Sequence, residues 1–191
     1  MNEKIQKENI LGLFKTIKII PETNKNFPKG KDFNKLIKIG NELLKKNLSL
    51  KKISEILNLR EDYTEEYANS LVYLDLIDPY HEFIMGNKTT YYRLSEKGLV
   101  IFPLPGNSKL LFLTKTILEH QIFNTFFKTY LETNKLLSNQ EIIELLKDKN
   151  FYDLKSDEDY NNASLIVNSW IKWIIDLYQW KKILFFIILK K

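Results

Sequence analysis

With 191 residues, 44% of them hydrophobic and 13% aromatic, the chain holds enough apolar mass for one large domain or two small ones, and disorder throughout is excluded. It has no Cys and only two His, His81 and His120, which excludes a disulfide framework, a thiolate metal site and an imidazole cluster. The net charge of +5 is unevenly spread: residues 1–52 hold 13 Lys against 5 acids, whereas residues 53–100 hold 9 acids against 4 basic groups. A basic first quarter of this kind attracts an anionic polymer. Arg occurs only at Arg60 and Arg93, and a lysine bias of that sort also arises from AT-rich coding sequence.

The N-terminus, MNEKIQKENI, lacks an apolar core segment and reads as no signal peptide. The longest apolar run, residues 183–189, is too short to span a bilayer, so the expected location is cytoplasmic with no membrane partner. Apolar residues at 10, 13, 14 and 17 predict a helix over 5–20, ended by Pro21. The stretch PETNKNFPKGK that follows reads as a loop or arm, with Lys25, Lys29 and Lys31 available to track a groove or backbone. Helical spacing resumes at Phe33, Leu36, Ile37, Gly40, Leu43 and Leu44.

Ser49 is a predicted N-cap for a short helix whose inner face is Ile53, Ile56 and Leu57. After a break at Asn58-Leu59-Arg60, a second helix is expected over 62–76, burying Tyr67, Ala68, Leu71, Leu74 and Tyr63, with Pro79 ending the helical region. Two strands, 83–85 and 90–94, then flank a tip at Gly86-Asn87-Lys88. Helix, turn, helix and hairpin in that order are the signature of a winged helix-turn-helix.

Pro103-Leu104-Pro105-Gly106 is the expected boundary between a first module, 1–102, and a second, 107–191. The second begins with two Phe- and Leu-rich helices over 110–118 and 122–131, and Ser138-Asn139-Gln140-Glu141 reads as a capping box. A loop over 150–155 leads to a long helix capped at Ser156, with Ala163, Ile166, Val167, Trp170, Trp173, Ile174 and Leu177 on its apolar face. The tail WKKILFFIILKK reads as a final strand or a second wing strand, with Trp180 and Phe185-Phe186 a candidate partner surface. The fold class is thus mainly α with a small β wing: a winged helix followed by a helical or winged-helix-like companion.

A wider pattern carries a family resemblance. IKIIPETNKNFPKGKDFNKLIKIGNELL is followed by YANSLVYLDLID, YYRLSEKG, IFPLPGNSKLLFLTKTILEHQIFNTFFKTYLE and VNSWIKWI. Together these resemble the tandem winged-helix regions found in or beside type II restriction-endonuclease-like proteins. The resemblance implies DNA recognition in a restriction-modification setting. In that family an Arg pair often precedes the final Ser-Trp; here the stretch is Asn161-Asn162-Ala163, which removes those charges from the second module.

Three functional readings follow. In the first, a non-catalytic DNA-binding protein without cofactor or metal grips double-stranded DNA. Lys45, Lys46, Lys51, Lys52, Lys88 and Arg93 meet phosphates, and Thr64, Asn69, Ser70 and Tyr73 face bases from the second helix. Against base readout, residues 61–78 hold Glu61, Asp62, Glu65, Glu66, Asp75 and Asp78 and no Lys or Arg. In the second reading the acidic helix and apolar tail form a protein-interaction module, a homodimer or a subunit of a larger restriction system. In the third, Asp153 and Lys155 belong to a metal-dependent nuclease, although an endonuclease activity would need a catalytic domain that this sequence does not display.

Overall fold

The computed structural model describes the backbone of residues 17–21 and 23–188, and the side chains of 17–21, 25–149 and 151–177. Most of the helix expected over 5–20 lies outside these residues. Its last residues are extended, not helical: Ile20 forms an isolated parallel bridge with His120 and donates its N–H to the Glu119 carbonyl at 2.7 Å. Among the described residues no helix is long and apolar enough to cross a membrane.

A short strand β1 (Thr23–Lys25) precedes α1 (Phe33–Leu43), which is capped by Asp32 and buries Phe33, Leu36, Ile39, Gly40 and Leu43. Next come β2 (Leu48–Ser49) and α2 (Leu50–Leu57), with the Ser49 hydroxyl accepting from the Lys52 N–H as expected of an N-cap. α2 ends at Asn58, whose left-handed φ of 53° lets the Leu59 N–H return to the Ser54 carbonyl at 3.1 Å. α3 (Glu61–Tyr73) then packs Tyr67, Ala68, Leu71 and Leu74 inward. It stops short of the expected Leu76 because Asp75 takes φ 58° and the Leu76 N–H bonds back to Leu71 at 2.9 Å, a Schellman ending. Tyr63, expected inside, is exposed.

The wing is longer than its sequence suggested. β3 (Ile77–Ile84) and β4 (Asn87–Leu94) pair in full antiparallel register, and β2 adds to β4, giving the order β2-β4-β3. Pro79 does not stop the element. It lies in the edge strand opposite Tyr92, where a missing donor costs no ladder bond on the open side. The turn is Met85-Gly86, both at positive φ (49° and 81°), rather than Gly86-Asn87-Lys88.

α4 (Glu96–Ile101), capped by Ser95, packs against α1, where a Cβ on Gly40 would run into the Phe102 ring. The Pro103–Gly106 segment is the turn into α5 (Gly106–Glu119), which bends at His120 into α6 (Gln121–Thr133). α7 (Asn139–Lys147) starts with the predicted capping box at Ser138 and Glu141. β5 (Asn150–Phe151), within the expected loop, pairs in parallel with β1. α8 (Asp157–Ile188) carries Asp157, Glu158 and Asp159 in its first turn, where the helix dipole favours them. Its backbone stays helical through Ile188, so the tail is no strand up to that point; the side chains of Trp180 and Phe185-Phe186 fall outside the described residues. Among the described residues the protein is therefore mainly helical with one small antiparallel wing. The second half is helical, and its β5 pairs with β1 rather than building a second wing.

One buried apolar cluster runs from α1 through α8, across the 103–106 turn. Its join is Trp170. The indole stacks on Phe123 of α6 at 5.0 Å, meets Phe33 of α1 edge-on at 5.3 Å, and donates Nε1–H to the Gly30 carbonyl at 3.0 Å. Trp170→Phe keeps most of the ring but strands that carbonyl. It is expected to lower stability by about 1–3 kcal/mol in urea unfolding, with one cooperative transition for both halves.

Candidate nucleic-acid interface

The polar face of α3 is smaller than its sequence promised. Thr64, Ser70 and Tyr73, expected to face bases, are buried, and only Asn69 of that set is exposed. For Ser70 and Tyr73 the cause is the 27–31 stretch, which is not a free arm but a strap between α3 and α8. The Ser70 hydroxyl accepts from the N–H groups of Lys29 (3.1 Å) and Gly30 (2.8 Å) and donates to the Glu66 carbonyl at 2.8 Å. Thr64 donates to the Arg60 carbonyl at 2.9 Å. Tyr73 stacks on His120 at 4.2 Å and lies 6.4 Å from Phe27. Helical spacing held a clue: Thr64 and Ser70 each lie three residues from Tyr67 and share the inward side of the helix.

What α3 presents outward is acidic. Glu61, Asp62 and Glu65 are exposed, and Arg60, also exposed, is clamped by Asp62 at 2.7 Å. Glu66 is half-buried, and burial raises its carboxyl pKa against the pull of Lys29. A cavity of about 450 Å³ opens beside it, between strap, α3 and α8. Its charges are balanced and partly committed: Lys29 pairs with Asp153 at 3.2 Å, and Asp159 caps α8 through Ser156. Asp153 also accepts the Phe27 N–H at 2.8 Å, so the carboxylate of the nuclease reading fastens the strap. Among the described residues no group of three His, Cys, Asp or Glu comes together as a metal site.

The cations sit elsewhere. Lys45 and Lys46 lie in the connection from α1 to β2, and Lys51 and Lys52 in the first turn of α2. The pairing of Leu48 with Tyr92 and of Ser49 with Tyr91 sets both groups against the wing. Asn47 reinforces this by donating to the Tyr80 hydroxyl at 3.1 Å, and Tyr80 stacks on Tyr91 at 5.7 Å. Lys88 lies three residues up β4 from the Ser49–Tyr91 pair, roughly 10 Å at the rise of a strand. Strand alternation puts Lys88 on the side of Thr90 and Tyr92, and Arg93 on the side of Tyr91 and Tyr80. The two wing cations therefore occupy opposite faces of the hairpin.

Several of these charges already have partners. Lys45 pairs with Glu42 at 2.8 Å, Lys52 with Glu55 at 2.6 Å and Arg93 with Asp78 at 3.8 Å. The Lys52 ammonium holds the Glu55 carboxyl below its ordinary pKa. Lys46, Lys51 and Lys88 are exposed and make no ion pair among the described residues. His81, at mid-wing, is exposed and lies 3.3 Å from the Thr90 hydroxyl.

Two outcomes test this geometry. Ser70→Ala leaves two strap N–H groups without an acceptor, so it is expected to cost about 1–3 kcal/mol of stability. Asn69→Ala is expected to be neutral, and paired thermal melts check both. Tyr92, where β2 meets the wing, has its phenol pKa pushed from 10.0 to about 12, first by burial and then by the charge of Glu65. A raised folded-state value means that this contribution is intact below pH 10 and is lost as the pH climbs through about 12. Tyr92→Phe is expected to flatten that alkaline decline in denaturation midpoints.

No curated protein matches the chain. Among solved structures it is similar to the adhesin competence repressor AdcR of Streptococcus pyogenes, with 14% identity over 78% of this chain and 92% of that one and a TM-score of 0.34. It is also similar to a mutant of Lactococcus lactis ZitR, with 18% identity over 78% and 94% of the two chains and a TM-score of 0.32. At such scores the winged-helix assignment rests on this chain's own elements. A family model does match: residues 35–179, from α1 into α8, fit the one described as a domain of unknown function, DUF7226, and the chain belongs to that family.

Proposed function

We propose that this is a non-catalytic DNA-binding protein that grips the phosphate backbone with the start of α2, the 44–47 connection and the wing, while α3 stays out of the major groove. The observation that carries the reading is the β2–β4 pairing, which sets Lys45, Lys46, Lys51 and Lys52 beside the strand that bears Lys88 and Arg93. Existing ion pairs do not oppose it. An exposed pair is worth about 0–1 kcal/mol, so Lys45, Lys52 and Arg93 exchange a carboxylate for a phosphate at little cost. The carboxylates of α3 do oppose insertion of that helix. Glu61, Asp62 and Glu65 would each approach phosphates within the screening length of about 10 Å. Such a grip positions a duplex without reading its sequence. The sequence resemblance adds a restriction-modification setting, in which this chain holds DNA for a partner that cuts.

The acidic α3 favours a second reading, a module that docks a basic protein surface or pairs with its own copy. The two readings differ in their salt response. With DNA, each phosphate neutralised adds about −0.9 to the slope of log affinity against log salt. Anisotropy titrations of a fluorescent duplex are expected to give a steep negative slope. Lys51→Ala with Lys52→Ala is expected to make that slope shallower by about 2 while leaving the melting temperature unchanged. Affinity that stays flat from low to moderate salt, with a tight homodimer in ultracentrifugation that ignores DNA, would reverse the ranking.

A further inference from the structure

The end of the wing exposes an apolar side chain on each face and at its apex. Phe83 is 76% exposed, Ile84 44% and Met85 98%. Register places Phe83 directly across from Lys88, and Ile84 across from Asn87. Alternation sends Phe83 and Ile84 to opposite faces, with Met85 at the apex. Folding gives no reason for this choice. A two-residue turn with both residues at positive φ favours Asn-Gly, yet Met85 holds φ 49° with almost its whole side chain in water. A bulky residue kept in a left-handed conformation at full exposure points to use of that side chain.

We propose that the tip is a wedge for the DNA minor groove, with Met85 and Phe83 pressing between base pairs and unstacking a step. This rests on the DNA-binding reading and adds a mechanism of deformation to it. The chemistry of the tip matches that target. Apolar side chains do the wedging in minor-groove proteins, Asn and Lys contact the groove edges and the flanking phosphates, and here Asn87 and Lys88 follow the wedge directly. A two-stranded ribbon with no element packed on its end also suits a concave duplex groove better than a flat protein face. The unstacked step opens most easily at pyrimidine–purine sequences such as TA.

The test uses the full chain and duplexes that carry 2-aminopurine beside TA steps, with a donor and an acceptor dye at the two ends. Three signals are recorded: anisotropy for binding, 2-aminopurine emission for unstacking and energy transfer for bending. Binding is expected to raise emission and to shorten the end-to-end distance, with a kink between about 20° and 90°. The comparison protein carries Phe83→Ser and Met85→Asn, which remove the apolar tip and put a favoured residue in the turn, so the hairpin is retained. It is expected to keep the salt slope of binding and to lose both emission and transfer changes. Binding by the original chain without either change overturns the wedge and leaves DNA binding intact. So does equal bending by the comparison protein. Failure of any duplex to bind removes both proposals. Self-association that disappears in the comparison protein, with DNA signals unaltered, assigns the tip to a protein contact and overturns the wedge.

Discussion

The strap from Phe27 to Lys31 is the constraint on which the rest of the molecule depends. Gly30 lies where a side chain would collide with Tyr67, and its N–H reaches the Ser70 hydroxyl while its carbonyl takes the Trp170 indole. One residue thus bonds to α3 and α8 at once. Phe27 extends the contact by stacking near Phe123 at 6.4 Å and meeting Phe151 edge-on at 5.0 Å. These bonds are buried, and a buried donor or acceptor that loses its partner costs more than an average hydrogen bond contributes. The strap therefore fixes α3 from behind and holds Tyr67, Ser70 and Tyr73 on its inner side.

That constraint governs the electrostatics. With Thr64, Ser70 and Tyr73 turned inward, the outward face of α3 is left to Glu61, Asp62, Glu65 and Asn69. Folding joins the lysine-rich and acid-rich stretches at a few points, where Lys52 pairs with Glu55 at 2.6 Å and Lys29 acts on Glu66. The 44–52 region stands against β4, and the acids project from the neighbouring helix. Parity within the hairpin separates Lys88 from Arg93, so one wing face carries Lys88 with the apolar Phe83, and the other carries Arg93 over Tyr80.

Local chemistry made the helices legible. Ser49, Ser138 and Ser156 announced helix starts through caps whose partners lie three residues away, and the spacing of Tyr67, Ala68, Leu71 and Leu74 announced a buried face. The strap was not legible because Trp170 and Gly30 stand 140 residues apart, and a Pro-, Gly- and Lys-rich segment looks the same whether it floats or is clamped. Pro79 does lie beyond the helical region, but the strand expected from Phe83 begins at Ile77, because an edge strand accepts Pro79 and sequence alone did not say that β3 would be an edge. The turn shifted by one residue because Gly86-Asn87 resembles a hairpin centre, while strand register chose Met85-Gly86. Of the candidate site, the lysines near α2 were readable as a cluster, and the apolar tip was overlooked because Phe83 was counted as an ordinary strand residue.

The wing and the core divide their tasks along one strand. At its root, β4 buries Tyr92 and Leu94 against α1 and α2, and Leu76 offers its carbonyl to the Ser95 N–H at 3.1 Å. From Thr89 outward, no side chain of β4 is fully buried and no helix covers the ribbon, so the tip contributes little to stability and is free to carry residues chosen for contact. The edge position of β3 would invite pairing with another chain, but Pro79 interrupts its row of donors and His81 and Glu82 occupy the next exposed positions. An edge blunted along its length and apolar only at its end discourages strand addition while leaving the apex open. That distribution suits a hairpin that enters a groove end-on better than one that extends a sheet.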